Sequence, residues 1–361
     1  MKRIILSGGG TGGHLFPAIA VANALRRLQP DVELLFVGAQ GRIEMEKVPQ
    51  AGYRIEGLWI SGLQRSLSVQ NLLFPIKLGS SLWRSYRILR RFRPDAVVGT
   101  GGYASGALLQ VAAWLRIPTL IQEQNSYPGI TNKLLAPYAH SICLAYDDAR
   151  RFFPTDKITM TGNPVRDNIR QFETADRNQA FEHFGLSPTQ AVLLVTGGSL
   201  GARGINNGIL THIDKFRQNN IQLLWQCGKL YYEELQAAVA AYTDTIKLLP
   251  FIDRMDYAYA LADAVVSRAG ASAISELCIV GKPTLLMPSP NVAEDHQTAN
   301  AQSLVKRQAA LMIRDADAPE QLYEAIGQLF DPIQSAVLRQ NIKQLAIYDA
   351  AETIAQKVLD L

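Results

Sequence analysis

His14 closes the run Ser7-Gly8-Gly9-Gly10-Thr11-Gly12-Gly13-His14, directly after a short apolar stretch. A strand turning into a helix is predicted there, which puts the imidazole at a helix N-terminus. The partial positive charge of that end disfavours the imidazolium, so the ring stays neutral and can accept a proton. A histidine that merely hydrogen-bonds the backbone at a helix start has the same address, and position alone does not separate the two readings. Glu123, in Gln122-Glu123-Gln124-Asn125, can be the proton acceptor instead, or can orient the group that loses the proton. Two further glycine clusters, Gly99-Thr100-Gly101-Gly102-Tyr103 and Thr196-Gly197-Gly198-Ser199-Leu200-Gly201-Ala202-Arg203, also follow apolar runs. Residues without a Cβ permit tight turns and close approach of a ligand, and the helix-start amides that follow are unpaired donors suited to phosphate. Arg166 and the amides of Ser199 to Ala202 can therefore neutralise a departing diphosphate, with Arg203 either assisting or facing solvent.

Strand and helix patterns alternate around these loops. Apolar runs at Ile4 to Ser7, Glu33 to Val37, Ala96 to Val98 and Thr119 to Ile121, and near Ile142 and Ile158, predict strands in the first half. The second half starts over at Val192 to Val195, with a helix from the third glycine loop to about Gln218. It continues through Ile221 to Trp225, Ile246 to Leu249, Ala264 to Ser267, Thr284 to Met287 and Ala310 to Ile313. The expected fold class is α/β, with two Rossmann-like domains whose parallel sheets face across an interdomain cleft. Gly162-Asn163-Pro164 is the expected hinge, which gives domains 1–164 and 165–344, with a C-terminal helix over about 345–361 packing back on the first. Ligands of open parallel sheets bind beyond the carboxyl ends of the strands. Thr11, His14, Glu123, Asn125, Arg268, Ser272, Ser275, Glu276 and Gln297 all fall at such positions, and Arg166 falls at the hinge.

With 361 residues, 48% hydrophobic and 19% charged, the chain carries enough apolar material for two ordinary cores. Its three cysteines, Cys143, Cys227 and Cys278, are far apart, which argues against a disulfide framework or a structural zinc site and fits a reducing compartment. Met1 to Leu6 is basic and then apolar, but glycines interrupt it, so it reads as a strand and not a signal peptide. No apolar stretch approaches the ~18 residues of a spanning helix.

Charge is unevenly spread within the net +4. Residues 1–164 hold 19 Lys and Arg against 10 Asp and Glu, a balance of +9, which leaves 17 against 22, or −5, for the rest. No acid occurs between Glu56 and Asp95, a stretch that interleaves seven basic residues with Leu72, Phe74, Ile76 and Trp83. A basic, aromatic-bearing amphipathic segment of this kind can lie on an anionic membrane surface, and it can equally be a core helix with a solvated basic face. Nothing matches a nucleic-acid-binding module.

Asp315-Ala316-Asp317 is the one Asp-x-Asp triplet, of the kind that holds a divalent ion on a diphosphate. It precedes a predicted helix, where acids cap well, so capping is its expected role and no bound metal or other cofactor is expected. Glu294, Asp295 and His296 are consecutive and do not converge on one ion as spaced ligands do.

The runs Gly9 to Ala18, Gly101-Gly102-Tyr103, Gln122 to Asn125, Gly162 to Arg166, Gly197-Gly198-Ser199 with Gly201-Ala202-Arg203, and Arg268-Ala269-Gly270 with Ser275-Glu276-Leu277 together resemble the MurG family. The members of that family are undecaprenyl-diphospho-muramoylpentapeptide β-N-acetylglucosaminyltransferases. The likeness runs in order from residue 4 to about residue 307. It implies the GT-B architecture and an inverting transfer of N-acetylglucosamine from UDP-N-acetylglucosamine to the C4 hydroxyl of the muramoyl sugar of lipid I, which yields lipid II for peptidoglycan.

By the same resemblance Thr11, Gly12 and Gly13 would lie at the donor sugar and diphosphate, Asn125 and Gln297 on the sugar, and Arg166 and Ser199 on the diphosphate. Ile252 would meet uracil through its backbone. Ala271, Ser272, Ala273, Ile274, Ser275 and Glu276 would cover the nucleoside, with Glu276 on the ribose. His14 is the favoured base and Glu123 its rival. A lipid acceptor favours the membrane reading of the basic segment, with Leu72, Phe74, Ile76, Trp83 and Trp114 as the docking surface, on the cytoplasmic face of the bacterial cell membrane and beside other cell-wall synthesis proteins. Leu200 stands where many relatives have glutamine, and His296 replaces one of a glutamine pair. A UDP-N-acetylglucosamine epimerase or another GT-B transferase is the alternative. A dinucleotide oxidoreductase is disfavoured, because the first loop lacks GxGxxG spacing and Glu56 lies beyond the usual ~20-residue distance for a ribose-binding acid.

Overall fold

The structure, a computed structural model, describes residues 1–61, 73–166, 169, 172–292 and 295–361. It divides into two compact units, Met1–Arg166 with Ile347–Leu361, and Asp167–Ala346.

Unit one opens with β1 (Arg3–Gly8), α1 (Gly12–Leu28), β2 (Glu33–Ala39), α2 (Glu44–Gln50) and β3 (Arg54–Leu58). It continues through α3 (Phe74–Phe92), β4 (Ala96–Gly101), α4 (Tyr103–Trp114), β5 (Thr119–Glu123), α5 (Ile130–Leu135), β6 (Ser141–Leu144) and β7 (Ile158–Met160). The described strands form a parallel sheet in the order β3-β2-β1-β4-β5-β6-β7. Apolar runs such as Ile4-Ile5-Leu6 are buried on both faces, as parallel strands covered by helices must be. The chain order reverses between β1 and β4, so the loops leaving these two neighbours open side by side.

Unit two contains α6 (Arg177–Phe184), β8 (Ala191–Thr196), α7 (Arg203–Thr211), α8 (Ile213–Gln218), β9 (Ile221–Gln226), α9 (Tyr232–Ala238), β10 (Ile246–Leu249) and α10 (Met255–Leu261). Then come β11 (Ala264–Ser267), α11 (Ala271–Val280), β12 (Thr284–Leu286), α12 (His296–Val305), β13 (Leu311–Met312), α13 (Ala318–Phe330) and α14 (Pro332–Lys343). Its parallel sheet runs β10-β9-β8-β11-β12-β13, with the reversal between β8 and β11.

The last helix, α15 (Ala350–Leu359), returns to unit one. Its Ile354, Ala355 and Val358 are fully buried in the same cluster as Leu15, Val21 and Leu25 of α1.

Two features differ from the sequence expectation. The helix expected to reach Gln218 without a break is two helices, because His212 leaves helical angles at φ −114° and ψ 16°. Neither β3 nor α2 was anticipated: Arg-Ile-Glu-Gly-Leu has little apolar alternation, and β3 exists by pairing with β2. All three cysteines are buried free thiols, and burial pushes Cys143 and Cys278 up to about 12 and Cys227 up to about 11, which suits inert core positions.

Candidate functional site

The first and second glycine clusters are the β1–α1 and β4–α4 loops, and they are packed on one another. Gly101 has φ +107°, and a Cβ there would sit 2.7 Å from His14 Nδ1. Gly102 has φ +91°, and its Cβ would sit 2.6 Å from the Gly9 carbonyl oxygen. The second cluster therefore makes room for the histidine ring and its loop.

That ring does not bond the backbone. Its Nδ1 lies 2.9 Å from Gln124 Oε1. The Gln124 amide has one sensible orientation, because its Nε2 donates to the carbonyls of Thr100 at 2.7 Å and Gln122 at 3.2 Å and to Gln122 Oε1. The Gln124 oxygen must then accept from Nδ1–H, which leaves Nε2 of a neutral His14 with its lone pair. Gln122 Nε2 in turn donates to Asn163 Oδ1 at 3.0 Å, and Asn163 Nδ2 to the Gln124 carbonyl at 3.0 Å. All three amides are buried, so this network fixes the His14 ring from beneath. Gln124 and Asn163 stood in the resembling motifs without an assigned role; their part depends on contacts distant in sequence.

Glu123 is placed differently from what a proton acceptor requires. It is 1% exposed, and both of its oxygens are occupied. Oε1 accepts from Asn125 N at 3.0 Å and Asn125 Nδ2 at 3.2 Å, and Oε2 from Gly129 N at 3.2 Å and Asn132 Nδ2 at 2.8 Å. Four donors on a buried carboxylate make it the clamp of the β5–α5 loop, and the residue it presents is Asn125.

Thr11 is exposed at the N-cap of α1, followed by Gly12 and Gly13 in its first turn. Beneath them lies Glu44, fully buried, whose carboxylate accepts from Gly10 N and Ala39 N, each at 2.9 Å. A lone acid in Gln40 to Met45 carries no pattern that would have marked it. This carboxylate holds one amide of the loop and adds a negative charge below it, so the first loop is less suited to phosphate than its glycines suggested. Arg166 lays its guanidinium 4.8 Å from the centre of the Phe16 ring on α1.

In unit two the loops after β8 and β11 are again neighbours across the reversal. Ser199 is exposed in the β8 loop, beside Leu200 at 82% exposure. Gln226 ties this loop to the next segment: its Nε2 donates to the Gly198 carbonyl at 2.9 Å, and its Oε1 accepts from Ile252 N at 2.8 Å. The Ile252 N–H is thus taken, and a base can be met there through the carbonyl alone. Gly270 caps α11, whose first turns carry Ala271 to Glu276. Ile274 and Ala271 are buried, so of this run Ser272, Ala273, Ser275 and Glu276 present side chains partly to solvent. Glu276 Oε2 accepts from Tyr259 Oη at 3.3 Å, and Ser275 Oγ bonds the Ala271 carbonyl at 3.0 Å. Gln297, in the first turn of α12, accepts from Ser289 N at 2.9 Å, which turns its amide NH2 outward as the available donor. Arg203, exposed at the start of α7, lies 5.9 Å from the Tyr231 ring centre.

Asp317 stands at the N-cap of α13, but the side chains of the acidic triplet are engaged by arginines instead of helix amides. Asp315 pairs with Arg268, which also donates to the carbonyls of Met287 at 3.0 Å and Pro288 at 3.2 Å. Asp317 pairs with Arg314 at 2.8 Å and makes no side-chain cap bond. The expectation that these aspartates cap α13 through their side chains is corrected: Arg268, brought in from the β11 loop, takes Asp315, and the local i,i+3 neighbour Arg314 takes Asp317. Among the described residues no three His, Cys, Asp or Glu side chains converge as metal ligands; Glu294 lies outside the described residues.

On α3, Ile76 is 60% and Trp83 61% exposed, with Arg87 stacked 4.9 Å from the Trp83 ring. Trp114, at the end of α4, is 63% exposed. Phe74 is half-buried, and Leu72 lies outside the described residues. Ser81, Ser85, Ile88 and Leu89 form the buried face of α3, and the opposite face presents apolar and basic groups together. No helix of the described residues is long and apolar enough to cross a membrane.

Residues 4–144 match the N-terminal domain of glycosyltransferase family 28, and residues 192–354 match its C-terminal domain. A protein of Flavobacterium psychrophilum, named UDP-N-acetylglucosamine--N-acetylmuramyl-(pentapeptide) pyrophosphoryl-undecaprenol N-acetylglucosamine transferase, is 51% identical over 99% of this chain and 97% of its own. The crystal structure of Acinetobacter baumannii MurG superposes with a TM-score of 0.77 at 27% identity, covering all of both chains. A UDP-GlcNAc 2-epimerase of Neisseria meningitidis, solved with UDP-GlcNAc, reaches 0.71 at 15% identity over all of both chains, a likeness of fold alone.

Proposed function

The chain belongs to the MurG family within glycosyltransferase family 28, and from that membership we propose how its residues carry the reaction. It transfers N-acetylglucosamine from UDP-N-acetylglucosamine to the muramyl-pentapeptide of lipid I, forming lipid II for peptidoglycan.

His14 is the base. Its Nε2 takes the proton of the acceptor's C4 hydroxyl while that oxygen attacks the anomeric carbon from the face opposite UDP. The bond from the anomeric carbon to the diphosphate oxygen breaks, configuration inverts, and the electron pair leaves with UDP. The observation that carries this assignment is the Gln124 contact, which assigns the proton of the neutral ring to Nδ1 and the lone pair to Nε2, set against the four donors that saturate Glu123.

Ser199 and the neighbouring amides of the β8 loop, with Arg166, stabilise the charge that develops on the diphosphate. The buried Glu44 makes the first loop the poorer phosphate site, so Thr11, Gly12 and Gly13 serve the sugars. Asn125, held by Glu123, and the amide NH2 of Gln297 bind sugar hydroxyls. The Ile252 carbonyl accepts from the uracil N–H, the start of α11 covers the nucleoside, and Glu276 takes the ribose hydroxyls. No metal takes part, since the helix-start amides and the arginine supply the positive potential.

The acceptor's polyprenyl tail places the enzyme at a membrane. Ile76, Trp83 and Trp114, with the arginines of α3, dock on the anionic cytoplasmic face.

Turnover of a lipid I analogue by wild type, His14→Ala and Glu123→Gln tests the base. The expected loss for His14→Ala is about 10²- to 10⁴-fold in kcat, the usual worth of a general base. Unimpaired turnover in that variant removes His14 from the mechanism. Incubation with UDP-N-acetylglucosamine alone should leave it unchanged, whereas an epimerase would convert it.

A further inference from the structure

Unit two also contains a cavity of about 570 Å³ away from the loops described above. It is formed by the start of α6, the end of α10, the turn from α11 into β12 and the last turns of α14, with Arg177, Lys282, Arg339 and Lys343 in its lining. Lys282 precedes β12, whereas the β8 and β11 loops follow their strands. In a parallel sheet these are opposite edges, so the cavity is separate from the proposed nucleotide determinants.

Charge in the cavity is one-sided. Glu173 is the acid in its lining, 3.6 Å from Lys343, and Asp263 stands behind it. Asp263 is engaged elsewhere, accepting from Val192 N at 2.9 Å and facing Arg177 at 3.5 Å. Arg177 donates to the Ala260 carbonyl at 2.9 Å, and Arg339 to the Asp263 carbonyl at 3.1 Å. Lys343 lays its stem over Gly281, where a Cβ would come within 2.4 Å of it. Among the described residues, Lys282 Nζ alone of the four has neither a hydrogen bond nor an ion pair. Burial, reinforced by Arg339 and, beyond the opposing pull of Asp263, by Arg177 and Lys343, pulls its ammonium down to about 8. A lone ammonium in a roomy concavity among three further cations is unfavourable unless an anion fills it.

We infer that this cavity is a binding site for a small phosphate-bearing anion, with Lys282 as the central contact and Arg339, Arg177 and Lys343 around it. Four cations lining one cavity against one lining acid suit a multiply charged oxyanion better than a single carboxylate, and the volume leaves room for two linked phosphate groups. The transfer reaction uses none of these residues.

The probe is inorganic pyrophosphate, titrated calorimetrically at constant ionic strength and neutral pH into protein saturated with UDP. Wild type should bind it at one site and Lys282→Met at least about tenfold more weakly, with glycosyl transfer unchanged in the variant. Arg339→Gln should weaken binding in the same direction. Equal affinity in wild type and both variants overturns the site. Failure of UDP to bind would instead count against the nucleotide assignment and leave the pyrophosphate comparison standing. Anionic vesicles form the second arm: a response of Lys282 to vesicles but not to pyrophosphate would make the occupant a lipid headgroup and overturn the assignment of a free anion.

Discussion

At the scale of single residues, the molecule distinguishes groups that share a chemistry by what surrounds them. His14 and Glu123 are both plausible bases by type, yet one has a ring nitrogen left with its lone pair and the other has both oxygens filled. Gln124 is the positioning residue for His14. Gln124→Leu should lower kcat on the order of 10- to 100-fold with the donor KM unchanged, because tautomer and ring orientation are lost while the binding loops remain. A change confined to KM would oppose that role. Lys282 supplies a pH signature. Its folded value of about 8 lies below the ordinary 10.5, so the folded state binds fewer protons than the unfolded chain between these limits. The penalty is complete below about pH 8, shrinks as pH rises toward 10.5 and vanishes above it. Lys282→Met should therefore be more stable than wild type at neutral pH, by about 1–3 kcal/mol after allowance for partial exposure, and the advantage should fade by pH 10 in urea titrations.

At the scale of elements, the β1–α1 and β4–α4 loops are one construction. Each begins at a strand end on either side of the sheet reversal, and the second is glycine because the first lies against it. Gly102→Ala forces a Cβ into the Gly9 carbonyl at a left-handed φ, a combination that costs about 1–3 kcal/mol or more. Its thermal midpoint should fall, and activity should fall further than stability alone explains, since the loop that moves carries His14. The β8 loop follows the same plan, with Gln226 as its brace to the Ile252 segment. In α3, burial of Ile88 and Leu89 accounts for the helix, and the exposure of Ile76 and Trp83 is what packing leaves unexplained.

At the scale of the whole molecule, the chain builds most of unit one, then all of unit two, and returns to finish unit one with α15. Ile354 is fully buried against α1, and Ile354→Ala should cost about 2–5 kcal/mol as transfer and cavity terms combine. The loss should register in unit one, as faster amide exchange in α1 and β1 with α11 and β11 unaffected. Basic charge collects in residues 1–164, which hold the exposed tryptophans of α3 and α4. Replacing Ile76 and Trp83 together by serine should weaken flotation with anionic vesicles, while turnover of a short-chain soluble acceptor stays at the wild-type rate. Equal flotation of the two proteins would remove the docking surface.

Local pattern by itself determined the two parallel sheets, nearly every strand, the glycine loops and the strand ends on which the candidate residues lie. Each of these follows from apolar runs and turn residues read over a few positions, and the family follows from the order in which the motifs occur. Tertiary structure alone decided which candidates have open chemistry. The four donors on Glu123, the Gln124 amide that sets the His14 tautomer, the Glu44 carboxylate under the first loop, the arginines that take Asp315 and Asp317, and the uncompensated Lys282 all arise from side chains meeting across turns and between elements. Burial and partner supply set what a polar group can do, and both are properties of neighbours that a one-dimensional pattern does not specify.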